Sequence, residues 1–251
     1  IFIYKYLFIY LFKQNTAYYP IMTLYLLSWK IMDVARVPCM TYFGSMTPED
    51  DARDAAGVEI LGRWGEVGNA SGTCICRAQK YTDVANWAYN WVPMATIDVK
   101  PICDDNVARK IVLGKEPDYT VAYDHVSDEP QEGETLYQIN YKFHESKKVD
   151  GYKQFAGLTK EQDEGDAGAC RPLGRWHLIG EGSGMAIAAA KSEADLYKWA
   201  FNWTGICDCV VVPVLTDAQS RKVITSKPDF QEKLQEVKVS MGMVKKTSTC
   251  C

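Results

Sequence analysis

The chain has 251 residues, 47% of them apolar, and a formal net charge of −4. That balance excludes disordered, collagen-like and coiled-coil classes, and it leaves no broad electrostatic footprint for nucleic acid. The length allows one large domain or two small ones.

The chain opens on an apolar run, Ile1 to Phe12, interrupted by Lys5. It is shorter than the ~20 residues a membrane-spanning helix needs, and it lacks the basic start and small-residue cleavage site of a signal peptide. Residues 1–21 therefore read as translated non-coding sequence or a fragment of a targeting peptide, with the natural start near Met22 and no membrane partner expected. A strand rich in Leu, Tyr and Trp follows at 24–31. A helix comes next, its second part opening at Thr47-Pro48-Glu49-Asp50, where a Thr cap, Pro at the first position and first-turn acids are the expected signals. A strand at 58–67 leads through a Gly68-Asn69-Ala70-Ser71-Gly72 turn into a strand at 73–78, a hairpin pattern. Val84, Trp87, Ala88 and Trp91 line one face of a helix at 81–92. A strand at 96–103 and a short helix from Asp104 or Asp105 end the unit.

The same order returns. Laid over residues 136–225 at a constant offset of 112, residues 24–113 are identical at 29 of 90 positions without a gap. Leu61-Gly62-Arg63-Trp64 meets Leu173-Gly174-Arg175-Trp176, and Trp87-Ala88-x-Asn90-Trp91 meets Trp199-Ala200-x-Asn202-Trp203. This is a tandem duplication of a β-α-β-β-α-β unit, the ferredoxin-like motif. The fold class is α+β. One such unit leaves an apolar sheet face uncovered, and two units cover it by packing their sheets as a pseudo-two-fold pair or closed barrel. The chain divides into residues 1–21, a first repeat at 22–113, an acidic linker at 114–135, a second repeat at 136–230, and a tail at 231–251 that reads as a docking strand or loose end.

Duplication also filters the chemistry, because positions shared by both copies report what the fold needs. Cys74 and Cys76 face Ala186 and Ala188 across the repeat, and Cys207 and Cys209 face Ala95 and Ile97. With one intervening residue rather than two to four they do not form a zinc knuckle, and they read as small buried apolar groups. The odd number of cysteines, nine, points to a reducing compartment. Of three histidines, His125 lies in the linker, and His144 and His177 stand opposite Met32 and Gly65. His177 follows Gly-Arg-Trp, where a strand side chain can reach an intersheet cavity. It would act there as a haem or metal ligand or a general base in one half only. The competing reading, an exposed or hydrogen-bonded strand histidine, is favoured because so little else converges on it.

Gly62 and Gly174 read as sites of close backbone approach or a bulge, and Gly72 and Gly184 as positive-φ turn residues. Arg63 and Arg175 could anchor the nearby carboxylates, Glu49 or Asp51 and Glu161 or Asp163, or hold an anionic ligand. Trp64 and Trp176 read as core or assembly anchors, Trp87, Trp91, Trp199 and Trp203 as helix faces packed on the sheet, and Asn90 and Asn202 as capping or turn hydrogen bonders. No catalytic, metal or cofactor constellation is shared by the two copies.

The Leu-Tyr strand, the Gly-Arg-Trp-x-x-x-Gly-x-x-Ser-Gly hairpin and the Trp-x-x-x-Trp helix resemble a small domain of unknown function. It is found singly in cyanobacteria and in tandem in marine algae, within the dimeric α/β-barrel superfamily. The two-region layout also resembles the pyrenoid shell proteins of diatoms and related algae. That resemblance implies a non-catalytic protein of the chloroplast that assembles with copies of itself into a shell, supports CO2 fixation, and has Rubisco or pyrenoid matrix proteins as partners. Other dimeric α/β barrels imply the alternative, a small-molecule- or haem-binding protein with oxygenase-like activity. The first reading, not an enzyme and without a cofactor, is the expectation taken forward.

Overall fold

The computed structural model describes residues 22–121, 129–241 and 243. Residues 1–21 and His125, with the readings made of them, lie outside the described residues. The first unit runs β1 (Thr23–Ile31), α1 (Arg36–Ser45), α2 (Pro48–Asp54), β2 (Val58–Glu66), β3 (Ser71–Ala78), α3 (Tyr81–Trp91), β4 (Ala95–Asp104) and α4 (Asp105–Leu113). The second repeats it as β5 (Thr135–Phe143), α5 (Lys148–Gly157), α6 (Lys160–Ala167), β6 (Arg171–Leu178), β7 (Ser183–Ala190), α7 (Glu193–Asn202), β8 (Cys207–Thr216) and α8 (Asp217–Thr225). α9 (Phe230–Ser240) follows. Thr47 and Thr159 open α2 and α6 with capping boxes, as their sequences predict.

All eight strands close one barrel in the order β1-β3-β2-β8-β5-β7-β6-β4. The seams between the units are short and antiparallel: Trp64 and Gly65 of β2 pair with Thr216 and Leu215 of β8, and Cys103 and Asp104 of β4 with His177 and Trp176 of β6. Strand alternation sorts the side chains into two layers. One set, including Trp64, Ile75, Leu136, Trp176, Ile187 and Val214, fills the barrel, where the Trp64 and Trp176 rings meet at 6.0 Å between centroids. The alternate set faces the helices that cover each sheet.

Several expectations change here. Trp64 and Trp176 are 1% and 4% exposed inside the barrel, so neither is available as an assembly anchor. Gly62 and Gly174 do follow β-bulges, and each is held small by its own neighbour: a Cβ there would lie 2.3 and 2.1 Å from the Trp64 and Trp176 rings. Gly72 and Gly184 do not supply positive φ. They sit in β3 and β7 beneath Trp29 and Tyr141, and the left-handed turn residues are Ala70 (φ 51°) and Gly182 (φ 69°). The segment after 230 is a helix rather than a strand, with Phe230 and Leu234 packed on Ile224 and, from α1, Met40 and Phe43.

Trp87 and Trp91 do pack on the sheet, and their indole N–H groups both donate to Asp54, at 2.8 and 2.7 Å, with Asn90 donating to the same carboxylate at 3.0 Å. Asp166 receives Trp199, Trp203 and Asn202 in the same way. Asn90 and Asn202 therefore tie helices together, and each also reaches the carbonyl of that aspartate, near the end of α2 or α6, at 3.4 Å. Replacing Trp64 by Ala should cost about 3–5 kcal/mol of stability, the range for emptying a large core site. Urea denaturation measures it, and a surface role for Trp64 would leave the midpoint unchanged.

Candidate functional site

Each half carries a buried charge cluster on the outer face of its sheet, and each cluster is completed by the other half. Arg63 of β2 donates from Nε to Asp217 Oδ1 at 2.7 Å, from Nη2 to Asp217 Oδ2, and to Asp51 at 3.1 Å. Its counterpart Arg175 contacts Asp105 and Asp163, with Nε 2.9 Å from Asp105 Oδ1 and Nη1 3.1 Å from Asp163. Asp51 and Asp163 are the carboxylates predicted on α2 and α6, whereas Glu49 and Glu161 are not partners. Asp217 and Asp105 begin α8 and α4, immediately after the strands that form the seams, and so reach across them. Arg221 and Arg109, one turn along, donate to carbonyls at the ends of α1 and α5: Phe43 and Met46 in one half, Phe155, Ala156 and Leu158 in the other. Phe43 and Phe155 each lie under two guanidinium groups.

Beside each cluster, between sheet and helices, lies an apolar cavity. The second-half cavity is about 70 Å³ and includes Ile139, Tyr141, Phe155, His177, Trp199 and Trp203 in its wall. His177 does not face the barrel interior, as anticipated, but this helix-covered space. Its Nε2 is 2.6 Å from Asp105 Oδ1 and its Nδ1 is 2.5 Å from the Tyr141 hydroxyl. Burial pushes the His177 ring below the usual histidine value and Tyr141 well above the usual tyrosine value. The ring is then neutral, with Nε2–H donating to Asp105 and Nδ1 accepting from Tyr141. Burial opposes ionisation of Asp105 as well, but the charge of Arg175 and the hydrogen bonds of His177 and Arg175 hold that carboxyl well below its ordinary range.

The first-half cavity is larger, about 110 Å³, because Gly65 stands where the second half has His177. Leu27, Trp29, Phe43, Trp87, Trp91 and Ile97 supply much of its wall, with Arg63, Asp217 and Ser220 at the polar side. Ser220 is 4% exposed, and its Oγ has no hydrogen-bond partner among the described residues. That oxygen lies 3.1 Å from the point a Cβ on Gly65 would occupy. Burial opposes the charge on Arg63, and bonding and attraction to Asp217, then Asp51, outweigh it and keep the guanidinium charged. The Cys39 thiol on the cavity wall is pushed up to about 11 by burial, and Cys74 is raised by burial too. Both thiols stay protonated, consistent with packing groups.

Haem, which the alternative reading implies, does not fit these residues. His177 has both ring nitrogens engaged, the first cavity has no histidine, and its thiols are not thiolates. A space of 110 Å³ is of single-ring size, since an apolar cavity of about 150 Å³ takes up benzene. Among the described residues no group of His, Cys, Asp and Glu is arranged to hold a metal ion, and no helix is long and apolar enough to cross a membrane. His144, at 3.3 Å from Asp208, takes no part in either cavity.

The model of a family described as a domain of unknown function, DUF3303, matches residues 23–116 and again 135–227. The chain belongs to this family. No curated protein matches the sequence. Among solved structures, a proposed monooxygenase from Lactobacillus acidophilus NCFM is 8% identical, with a TM-score of 0.43 over 78% of this chain and 94% of that one. A variant of DypB from Rhodococcus jostii RHA1 in complex with haem is 10% identical, with a TM-score of 0.46 over 85% and 98%. A mutant chlorite dismutase from Candidatus Nitrospira defluvii is 9% identical, with a TM-score of 0.42 over 86% and 95%. In this DUF3303 tandem two ferredoxin-like α+β units close a single eight-stranded barrel within one chain.

These findings overturn the expectation of a non-catalytic shell protein and of a chain that is not an enzyme. These similar structures carry the names of a monooxygenase, a DypB and a chlorite dismutase, and the matches give no support to a pyrenoid, algal or Rubisco link. The physical counterpart is that the tryptophans expected to build contacts between copies are spent inside the barrel.

One titration follows from the second-half cluster. With His177 held below its ordinary value, the unfolded chain binds a proton there that the folded chain does not. Its contribution to stability is complete above about pH 6.5 and is lost as the pH falls below that. Asp105, also held low, adds a further loss below about pH 4. The unfolding free energy from urea titrations between neutral and mildly acidic pH should fall by at most about 1.4 kcal/mol per pH unit on account of His177. This component should vanish in His177→Gln; an unchanged slope would refute the assignment.

Proposed function

We propose that this protein is a small-molecule-binding α/β barrel whose ligand site is the first-half cavity, and that oxygenase-type chemistry is the activity to test on the ligand held there. The observation that carries the reading is the unfilled space over Gly65. It is apolar, walled by three tryptophans, and has the unpartnered Ser220 hydroxyl at its polar side. A buried hydroxyl without a partner costs about 1–3 kcal/mol, which a bound polar group would recover. Ligand pockets are built this way, mostly apolar with a few placed polar groups.

The charges around the cavity disfavour an acidic ligand. Arg63 and Arg221 are matched by Asp51 and Asp217, and Glu66 adds a carboxylate to the wall, so no uncompensated cation waits for an acid. Small neutral aromatics should quench or shift tryptophan fluorescence through Trp29, Trp87 and Trp91. Gly65→Leu should abolish that response while preserving the melting temperature, since the Ser220 hydroxyl is the only group near the new side chain's first atom. Binding that survives Gly65→Leu would place the ligand elsewhere. Oxygen uptake in the presence of a bound compound then distinguishes an oxygenase from a binding protein.

A further inference from the structure

The duplication lets one half show what the other is shaped to hold. In the second half the space over β6 is filled by the chain's own imidazole, which donates to Asp105 and accepts from Tyr141. In the first half that arrangement persists except for the ring and the tyrosine, whose place Trp29 takes. Asp217 takes the place of Asp105, Arg63 that of Arg175, and Phe43 that of Phe155. Asp105 Oδ1 accepts from both Arg175 and His177, whereas its counterpart Asp217 Oδ1 accepts at 2.7 Å from Arg63. The Asp217 side chain is 36% exposed where that of Asp105 is fully buried. The remaining acceptor capacity of Asp217 therefore borders the space that Gly65 leaves. Ser220, the counterpart of Ala108, adds a hydroxyl that the second half lacks, and that hydroxyl has no partner among the described residues.

We propose that the first-half cavity takes a neutral, single-ring nitrogen heteroaromatic that donates a ring N–H to the Asp217 carboxylate and accepts from the Ser220 hydroxyl. His177 is then the chain's own copy of the ligand. The aromatic walls match a flat ring, the carboxylate selects a donor, and the hydroxyl selects a second heteroatom. The Arg63 guanidinium keeps Asp217 ionised and so keeps it an acceptor. This rests on the reading of that cavity as the ligand site, and names the class of molecule it selects.

The test uses the full chain and three probes: imidazole, 1-methylimidazole and benzene, titrated by calorimetry at about pH 8.5, two units above the ~6.5 of an ordinary histidine ring. Imidazole should bind at least about tenfold more tightly than 1-methylimidazole, which lacks the N–H, and than benzene. Ser220→Ala should weaken imidazole binding roughly 2- to 10-fold, the share of one neutral hydrogen bond. Gly65→His combined with Ser220→Ala and Trp29→Tyr rebuilds the second-half filling, and should fold with an undiminished melting temperature and lose imidazole binding. Benzene binding as well as imidazole, or Ser220→Ala leaving imidazole affinity unchanged, would overturn the inference while sparing the cavity reading. If no probe binds, and xenon under pressure finds no site over Gly65, both fall.

Discussion

Two crossed arginine–aspartate pairs govern this molecule. Arg63 with Asp217 and Arg175 with Asp105 are bidentate, largely buried, and each joins a strand of one half to a helix of the other. Stripping one partner from such a pair leaves an uncompensated charge away from water, a loss of about 3–5 kcal/mol. The pairs sit at the barrel seams, where only two residues of each strand are matched across. Short seams alone would hold the two sheets weakly. The crossed pairs, with Arg109 and Arg221 tying down the ends of α5 and α1, lock each half's helices onto the other's sheet.

Much of this was legible in the sequence. The constant offset of 112, the strand and helix order, the capping boxes at Thr47 and Thr159, and the buried character of Cys74 and Cys76 all follow from local rules of spacing and alternation. The closed barrel follows from the need to cover two apolar sheet faces. What escaped were contacts between the copies. Asp105 marks only a possible start of a short helix in the sequence and Asp217 stands out in no way, although their identity across the repeat, together with that of Arg109 and Arg221, was available as a signal. A repeat comparison shows that a residue is kept in both halves; it does not show that its partner lies in the opposite half. Trp64 and Trp176 were ambiguous for a related reason: a tryptophan shared by both copies suits a core as well as an interface, and only the barrel's closure decides between them.

His177 illustrates the value of what is not shared. Drift explains most positions at which the copies differ, but Gly65, Ser220 and Trp29 differ together from His177, Ala108 and Tyr141, and all six belong to one pair of equivalent spaces or the helix beside it. The second half uses a ring, a hydroxyl and a carboxylate to satisfy one another. The first half keeps the carboxylate, drops the ring and gains a hydroxyl with nothing to bond. A buried polar group is normally paired, so the pattern is that of a space meant to be filled.

Fusion of the two units into one chain is what makes this division possible. In a barrel built from two identical chains, any substitution that closes one cavity closes both. Here His177 can seal one while Gly65 leaves the other open. The open cavity does not belong to one half alone, however, because Asp217 and Ser220 reach it from α8, an element of the second repeat. The crossed pairs therefore do two things at once. They close the barrel, and they carry the polar side of the open cavity across the seam, so that the site exists only when both halves are folded against each other.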